Sequence, residues 1–131
     1  MENLRVINTV FSEIAVKKHY LVVTMNDGTN LGERELSKIS DVADEYIDGE
    51  MGYISNHIHD YSISPVDVVR FVINNPRLKH IAYVSKVGDH KSRLMALLRL
   101  IPSSVKFRTF REMEAAVLRV EGCLKVDELQ A

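Results

Sequence analysis

Chemically reactive side chains are concentrated between Gly52 and Pro65, in the stretch GYISNHIHDYSISP. His57 and His59 are two positions apart, and such residues share a face in an extended chain, so both imidazoles could reach a metal ion beside Asp60. A closed site needs a further ligand, and the remaining histidines and the lone cysteine follow no recognisable ligand spacing. The sequence therefore predicts no bound metal and favours solvated histidines on a loop.

The same stretch holds the groups needed for nucleophilic catalysis, because three serines lie close to the histidines and Asp60. A catalytic triad depends on convergence in three dimensions, and side chains this close in sequence seldom all converge. No G-x-S-x-G nucleophile elbow occurs, and Cys123 has no neighbouring histidine. We therefore predict a protein that is not an enzyme and has no cofactor. The residues predicted to bind a partner or to regulate binding are Ser55, Asn56, His57, His59, Asp60, Tyr61, Ser62 and Ser64.

Two further chemistries involve the starts of predicted helices. A phosphate on Ser62 or Ser64 would meet the positive end of the following helix, although neighbouring aspartates would oppose it. A weaker anion site follows the next strand, where the contributing residues would be Lys86, Asp89 and Lys91. That segment lacks the glycines of a Walker loop, so Asp89 as a simple N-cap is the stronger interpretation.

These residues must be positioned by alternating strands and helices. The apolar periodicity and the turn residues predict strands at 4–11, 19–25, 51–57, 78–86 and 104–108, and helices at 32–47, 65–73, 89–101 and 113–122. After an opening hairpin, this β-β-α-β-α-β-α-β-α order predicts a mostly parallel sheet with right-handed crossovers. Ligand sites in such sheets lie outside the carboxyl ends of strands, and the GYISNHIHDYSISP stretch lies at such an end.

Buried faces follow from the same periodicity. The helix at 65–73 is expected to bury Val68, Val69, Val72 and Ile73. The last helix is expected to bury Met113, Ala116, Val117 and Val120 and to end at Gly122, which leaves residues 122–131 as a flexible tail.

The length of 131 residues predicts a single α/β domain over residues 1–131. One cysteine cannot form an internal disulfide, which favours a reducing cytoplasm. We expect no signal peptide, because residues 1–11 contain Glu2 and Arg5 but no continuous apolar run, and the most apolar run, LMALLRLI, is too short to span a bilayer. We expect a soluble cytoplasmic protein without an integral membrane segment.

The charge is distributed unevenly although the net charge is only −1. Residues 27–50 contain eight acids and two bases, whereas residues 77–111 contain nine bases and one acid. No nucleic-acid motif accompanies the basic segment, so we predict no nucleic-acid partner. The two segments are expected to complement each other within a monomer or across a homodimer, which the exposed edge of the opening hairpin also favours.

Two stretches resemble the STAS-like fold, in particular the SpoIIAA-like group named after the bacterial anti-sigma-factor antagonist. Residues 79–120 (KHIAYVSKVGDHKSRLMALLRLIPSSVKFRTFREMEAAVLRV) look like the carboxyl-terminal half of that group, including its strand, helix, short strand and "eeA" segment. The stretch GYISNHIHDYSISPVDV is similar to a "yISNR…YSvdP" stretch of bacterial members of unassigned function. The resemblance covers roughly residues 4–121, the first third through element order alone.

The resemblance implies a non-enzymatic module that binds a partner protein. In some STAS domains a serine at the start of the helix after the central strand is phosphorylated, and Ser62 or Ser64 falls near that point. The regulatory D-S-[ST]-G pattern is absent, because the chain reads DYSISP. A relationship to the CRAL-TRIO lipid-transfer fold implies the alternative, a small apolar-ligand or lipid binder. Its closed pocket would be lined by Tyr46, Tyr53, Tyr61 and Met95.

Overall fold

A six-stranded mixed sheet with helices on both faces forms the centre of the protein. The computed structural model describes residues 5–57, 62–63, 65–85 and 99–130. The strands in this part are β1 (Arg5–Asn8), β2 (Ser12–Val16), β3 (Tyr20–Met25), β4 (Asn30–Leu31), β5 (Met51–His57), β6 (Ser62–Ile63), β7 (Leu78–Ser85) and β8 (Lys106–Phe110). The helices are α1 (Glu33–Tyr46), α2 (Pro65–Asn74) and α3 (Met113–Gln130).

The strands follow the order β1-β2-β3-β5-β7-β8 across the sheet. The pairs β1–β2 and β2–β3 are antiparallel, whereas β3–β5, β5–β7 and β7–β8 are parallel. A separate pair, β4–β6, joins the segments that precede α1 and α2. The predicted α/β class is therefore confirmed, and the sheet is mixed.

The opening of the chain is a three-stranded meander rather than the expected hairpin. The predicted first strand, residues 4–11, ends early because Thr9 begins a tight turn. Its hydroxyl accepts hydrogen bonds from the backbone N–H of Phe11 (3.2 Å) and of Ser12 (2.9 Å). The chain then forms β2, which the sequence prediction assigned to a connection. The turn after β3 was predicted correctly, since Gly28 adopts a φ of 77° there.

One face of the sheet is covered by α1 and α2. The apolar stripe of α1 is buried against strand residues such as Leu21, Tyr53 and Ile81, which are cross-strand neighbours in register. Helix α2 contributes Phe71 and Val72, whereas Ile73 is 62% exposed and was predicted wrongly as buried. The error arises because the buried face of α2 is centred one residue earlier than the run of valines indicates.

The opposite face is covered by α3, which lies close to the backbone of β5. Ala116, Val120 and Leu124 pack against Tyr20, Ile54 and Ala82. The approach is possible because position 52 is a glycine: a Cβ there would lie 2.7 Å from Cγ1 of Val120. The helix continues through Gly122 to Gln130, so the predicted end at Gly122 was wrong. Gly122 has helical backbone geometry and open space around it, and one glycine lowers helix stability without ending the helix.

A buried tyrosine joins α3 to the sheet at the amino end of β3. The hydroxyl of Tyr20 donates a hydrogen bond to Oε2 of Glu121 at 2.7 Å. Burial, and then the hydrogen bond and negative charge of Glu121, raise the pKa of Tyr20 far above that of a solvated tyrosine.

Arg77 lies in the loop before β7 and provides hydrogen-bond donors for the free carbonyl groups at the carboxyl end of α1. Its guanidinium donates to the carbonyl oxygens of Ala43, Ile47 and Gly49, and pairs with Asp44 at 3.0 Å. Helix α1 has no basic residue in its own last turn, so Arg77 supplies the cation that the helix dipole favours there.

The helix predicted at 65–73 is confirmed as α2, and the strand predicted at 78–86 is confirmed as β7. The last strand, β8, begins and ends two residues later than predicted. The predicted helix at 89–101 lies mostly outside the described residues, and residues 99–101 form turn and bend structure. Among the described residues, no helix has the length and apolar character that crossing a membrane requires.

Candidate functional site

Polar side chains replace apolar ones where the parallel strands end. We call this region the polar edge, which consists of Thr24, Ser55, Asn56, His57, Tyr83 and Ser85. The register pairs Thr24 with Asn56, Ser55 with Tyr83, and His57 with Ser85. Earlier in the same strands, the paired residues on the face that carries α1 and α2 are apolar and buried, namely Leu21, Tyr53 and Ile81. The polar edge therefore begins where the core under these helices ends.

Ser55, His57, Tyr83 and Ser85 alternate with residues of the other face, so they lie on the face that carries α1 and α2. A hydrogen bond joins the Tyr83 hydroxyl to Nδ1 of His57. The two ring centroids are 5.4 Å apart and the rings are inclined at 58°. The hydrogen bond orients the imidazole plane and engages Nδ1.

A second cross-strand hydrogen bond lies on the face that carries α3. Nδ2 of Asn56 donates to Oγ1 of Thr24 at 3.1 Å, and both side chains are half-buried. Because Asn56 and His57 are consecutive in an extended strand, their side chains leave opposite faces of the sheet. The polar edge thus presents one ordered pair of side chains on each face.

The structure divides the cluster that the sequence suggested. Ser55, Asn56 and His57 belong to the polar edge, but Asn56 faces away from the other two. Ser62 lies in β6, where its backbone pairs with that of Asn30, and not in the loop that the sequence predicted. Two-residue strands have no periodicity, so this pairing has no sequence signal. His59, Asp60, Tyr61, Ser64, Lys86, Asp89 and Lys91 lie outside the described residues.

The two described tyrosines of the alternative apolar pocket have separate surroundings. Tyr53 is buried in the core, and its ring lies edge-on to Phe71 with centroids 5.7 Å apart. The Tyr46 hydroxyl accepts a hydrogen bond at 2.8 Å from Arg5, which belongs to β1. Tyr61 and Met95 lie outside the described residues.

Sequence reasoning missed Tyr83 and Thr24. Both occur in apolar runs, YLVVTM and LKHIAYVS, which the sequence analysis assigned to strands without selecting either residue. Their position near the carboxyl end of a parallel strand was the available signal. The partner of each depends on the sheet register, which one sequence does not provide.

The described groups of the polar edge are hydroxyls, one imidazole and one carboxamide. No family model, curated protein or solved structure matches this chain. Within the same described residues, no three histidine, cysteine or acidic side chains are grouped so that they could hold a metal ion. The hydroxyls, the imidazole and the carboxamide of the polar edge can each donate and accept hydrogen bonds. Such groups suit recognition of another polar surface.

Proposed function

We propose that this chain is a non-enzymatic regulatory or protein-interaction module of the STAS-like type, and that the polar edge contacts its partner protein. The observation that carries the proposal is the pair of cross-strand hydrogen bonds at adjacent strand ends. One joins His57 to Tyr83 and the other joins Asn56 to Thr24.

Both pairs are built on strands in the middle of the sheet, so their side chains are ordered before a partner arrives. Binding to ordered side chains loses less conformational entropy than binding to mobile ones. Open α/β sheets also bind their ligands outside the carboxyl ends of strands, where this edge lies. The half-buried side chains leave area for a partner to cover.

The STAS-like resemblance supports the same proposal, since domains of that type mostly bind proteins. It also suggests how binding would be regulated. Ser62 lies in β6 and Ser64 directly precedes α2 in the chain, so a phosphate on either serine would be near the start of that helix.

The test is quantitative affinity capture from the source cells, with the full chain immobilised. His57→Ala and Tyr83→Phe should each weaken capture of a defined set of proteins about tenfold, which corresponds to about one interfacial hydrogen bond. Asn56→Ala tests whether the face that carries α3 also contributes to binding the partner.

Two matched variants provide the controls. Tyr46→Phe removes a hydroxyl on α1, and His19→Ala removes an imidazole beside the amino end of β3. Both should retain the captured set. Equal capture by all variants would contradict the proposal, as would native mass spectrometry that finds a small molecule bound to the purified chain.

A further inference from the structure

The first strand of the sheet presents an open edge. β1 pairs with β2 on one side only in the described structure, and its backbone groups alternate in direction along the strand. The N–H of Thr9 points inward, because it donates to the carbonyl oxygen of Ser12 at 2.8 Å. The alternation of an antiparallel ladder then directs the N–H and C=O of Val6 and Asn8 outward.

An open groove of about 850 Å³ lies between β1 and α1. Its apolar lining comes from Ile7, Val10 and Phe11, and the Val10 side chain is fully exposed. The edge at β8 differs, because exposed Lys106 and Arg108 provide charges that discourage pairing with another strand. The β1 edge therefore carries one charged side chain, Arg5, beside exposed apolar side chains at Val6 and Val10.

The side of α1 that borders this groove has a regular charge sequence. Arg34, Lys38, Asp41 and Glu45 follow one another at helical spacing of four, three and four residues, and all four side chains are exposed. We call them the charged stripe. The first three line the groove together with β1 residues and with Glu35, whose carboxylate accepts a hydrogen bond from the backbone N–H of Gly32 at 3.3 Å. The stripe is positive in its first half and negative in its second half.

The described part of one chain provides no ion-pair partner for the charged stripe. Arg34 in the first turn and Glu45 in the last turn oppose the helix dipole, whereas Glu33 and Glu35 in the first turn agree with it. Arg34 and Lys38 are like charges one turn apart, and so are Asp41 and Glu45, which adds repulsion, whereas the opposite charges of Lys38 and Asp41, three residues apart, attract. In the described part of the chain, none of these four side chains forms an ion pair, whereas Asp44 on the neighbouring side of α1 pairs with Arg77.

We propose that the β1 edge binds a second copy of this chain through a two-fold axis that passes beside Ile7. β1 then pairs antiparallel with the partner's β1, and Val6 of each copy exchanges two hydrogen bonds with Asn8 of the other. The two Ile7 side chains meet on the face that carries α1.

The same axis places the two α1 helices antiparallel on one face. The positive half of each charged stripe then faces the negative half of the other, with Arg34 opposite the partner's Glu45 and Lys38 opposite the partner's Asp41. A plus-plus-minus-minus order is self-complementary under two-fold symmetry, as an isologous interface requires. This surface is separate from the polar edge, so the inference goes beyond the proposed function.

The test measures molar mass by light scattering during size-exclusion chromatography, at about 100 µM protein and low salt, because electrostatic pairing is screened at high salt. The full chain should elute with twice the 14.9 kDa mass of one chain. Arg34→Glu with Lys38→Glu gives an all-acidic stripe, and Asp41→Lys with Glu45→Lys gives an all-basic stripe. Each double variant should be monomeric alone, and an equimolar mixture should restore the dimer.

Arg70→Glu with Arg108→Glu is the matched control, since it reverses two exposed charges elsewhere and should leave the dimer intact. Asn8→Pro removes one outward N–H without affecting the β1–β2 ladder, and it should weaken the dimer at least tenfold. Circular dichroism establishes that each variant is folded. A monomeric parent chain would overturn the proposal, and so would dimers that persist in both charge variants and in Asn8→Pro.

Discussion

Replacement of Gly52 by alanine should loosen the packing of α3 on the sheet. The added Cβ would lie 2.7 Å from Cγ1 of Val120, 3.2 Å from Cβ of Tyr20 and 3.4 Å from Cδ1 of Leu124. Valine has one strongly preferred rotamer in a helix, so Val120 has little freedom to turn away. The helix or the strand must therefore shift.

Two opposing contributions determine how Gly52→Ala changes the free energy of unfolding. Insertion of a methyl group into a packed core costs about 1–3 kcal/mol. Alanine also restricts the unfolded chain relative to glycine, which returns about 0.4–1 kcal/mol. The central values, about 2 and about 0.7 kcal/mol, leave an expected fall in the free energy of unfolding of about 1.3 kcal/mol, measured by urea denaturation with an unchanged slope.

Two further variants make the reasoning specific. Gly122→Ala makes the same chemical change in α3 where nothing lies within 4 Å, and it should raise stability by about 0.5–1 kcal/mol. Val120→Ala removes the clashing methyl group. The loss in the free energy of unfolding of the double variant with Gly52→Ala should therefore be about 1 kcal/mol smaller than the sum of the losses of the two single variants. Additive losses, or a Gly52→Ala chain as stable as the parent, would refute the close approach of α3.

Three other predictions concern polar contacts. Arg77→Met should lower the free energy of unfolding by about 1–3 kcal/mol, because α1 loses its capping cation, whereas Asp44→Asn should cost under about 0.5 kcal/mol because that carboxylate is 69% exposed. Asn75→Ala should cost about 1–3 kcal/mol in the same assay, since this buried amide bonds Ser40 at 2.9 Å and the Phe71 carbonyl at 2.7 Å. Folding raises the pKa of Tyr20, so its contribution to stability is complete below the unfolded pKa of about 10 and is lost as the pH rises above it. Tyr20→Phe should accordingly be less stable than the parent at pH 7, and the difference should shrink above pH 10; a constant difference would contradict the assignment.

The elements with strong periodicity could be predicted from the sequence. β5 and α1 have long patterns bounded by turn residues, and their predicted limits agree with the structure within one residue. β2 was missed because the Thr9 hydroxyl ends β1 through a side-chain contact that hydropathy does not reveal. The extent of α3 was missed because one glycine was treated as a helix end.

The candidate site was predictable along one strand and not across strands. Asn56 and His57 were selected because their types stand out in the sequence, and they do lie at a strand end. Their partners, Thr24 and Tyr83, are 32 and 26 positions away in the chain. A pairing of that kind depends on sheet order and register, which local patterns do not determine.

The mixed sheet also predicts an order of folding. The meander brings together residues close in the chain, such as Val16 and Leu21, whereas the parallel half must join Tyr20 to Gly52 and Gly52 to His80 across whole helices. Loop-closure entropy grows with the length of the intervening chain, so β1–β3 should form first and then serve as a template for β5, β7 and β8. Mutations in the meander should therefore slow refolding, while mutations at the β7–β8 seam should mainly accelerate unfolding.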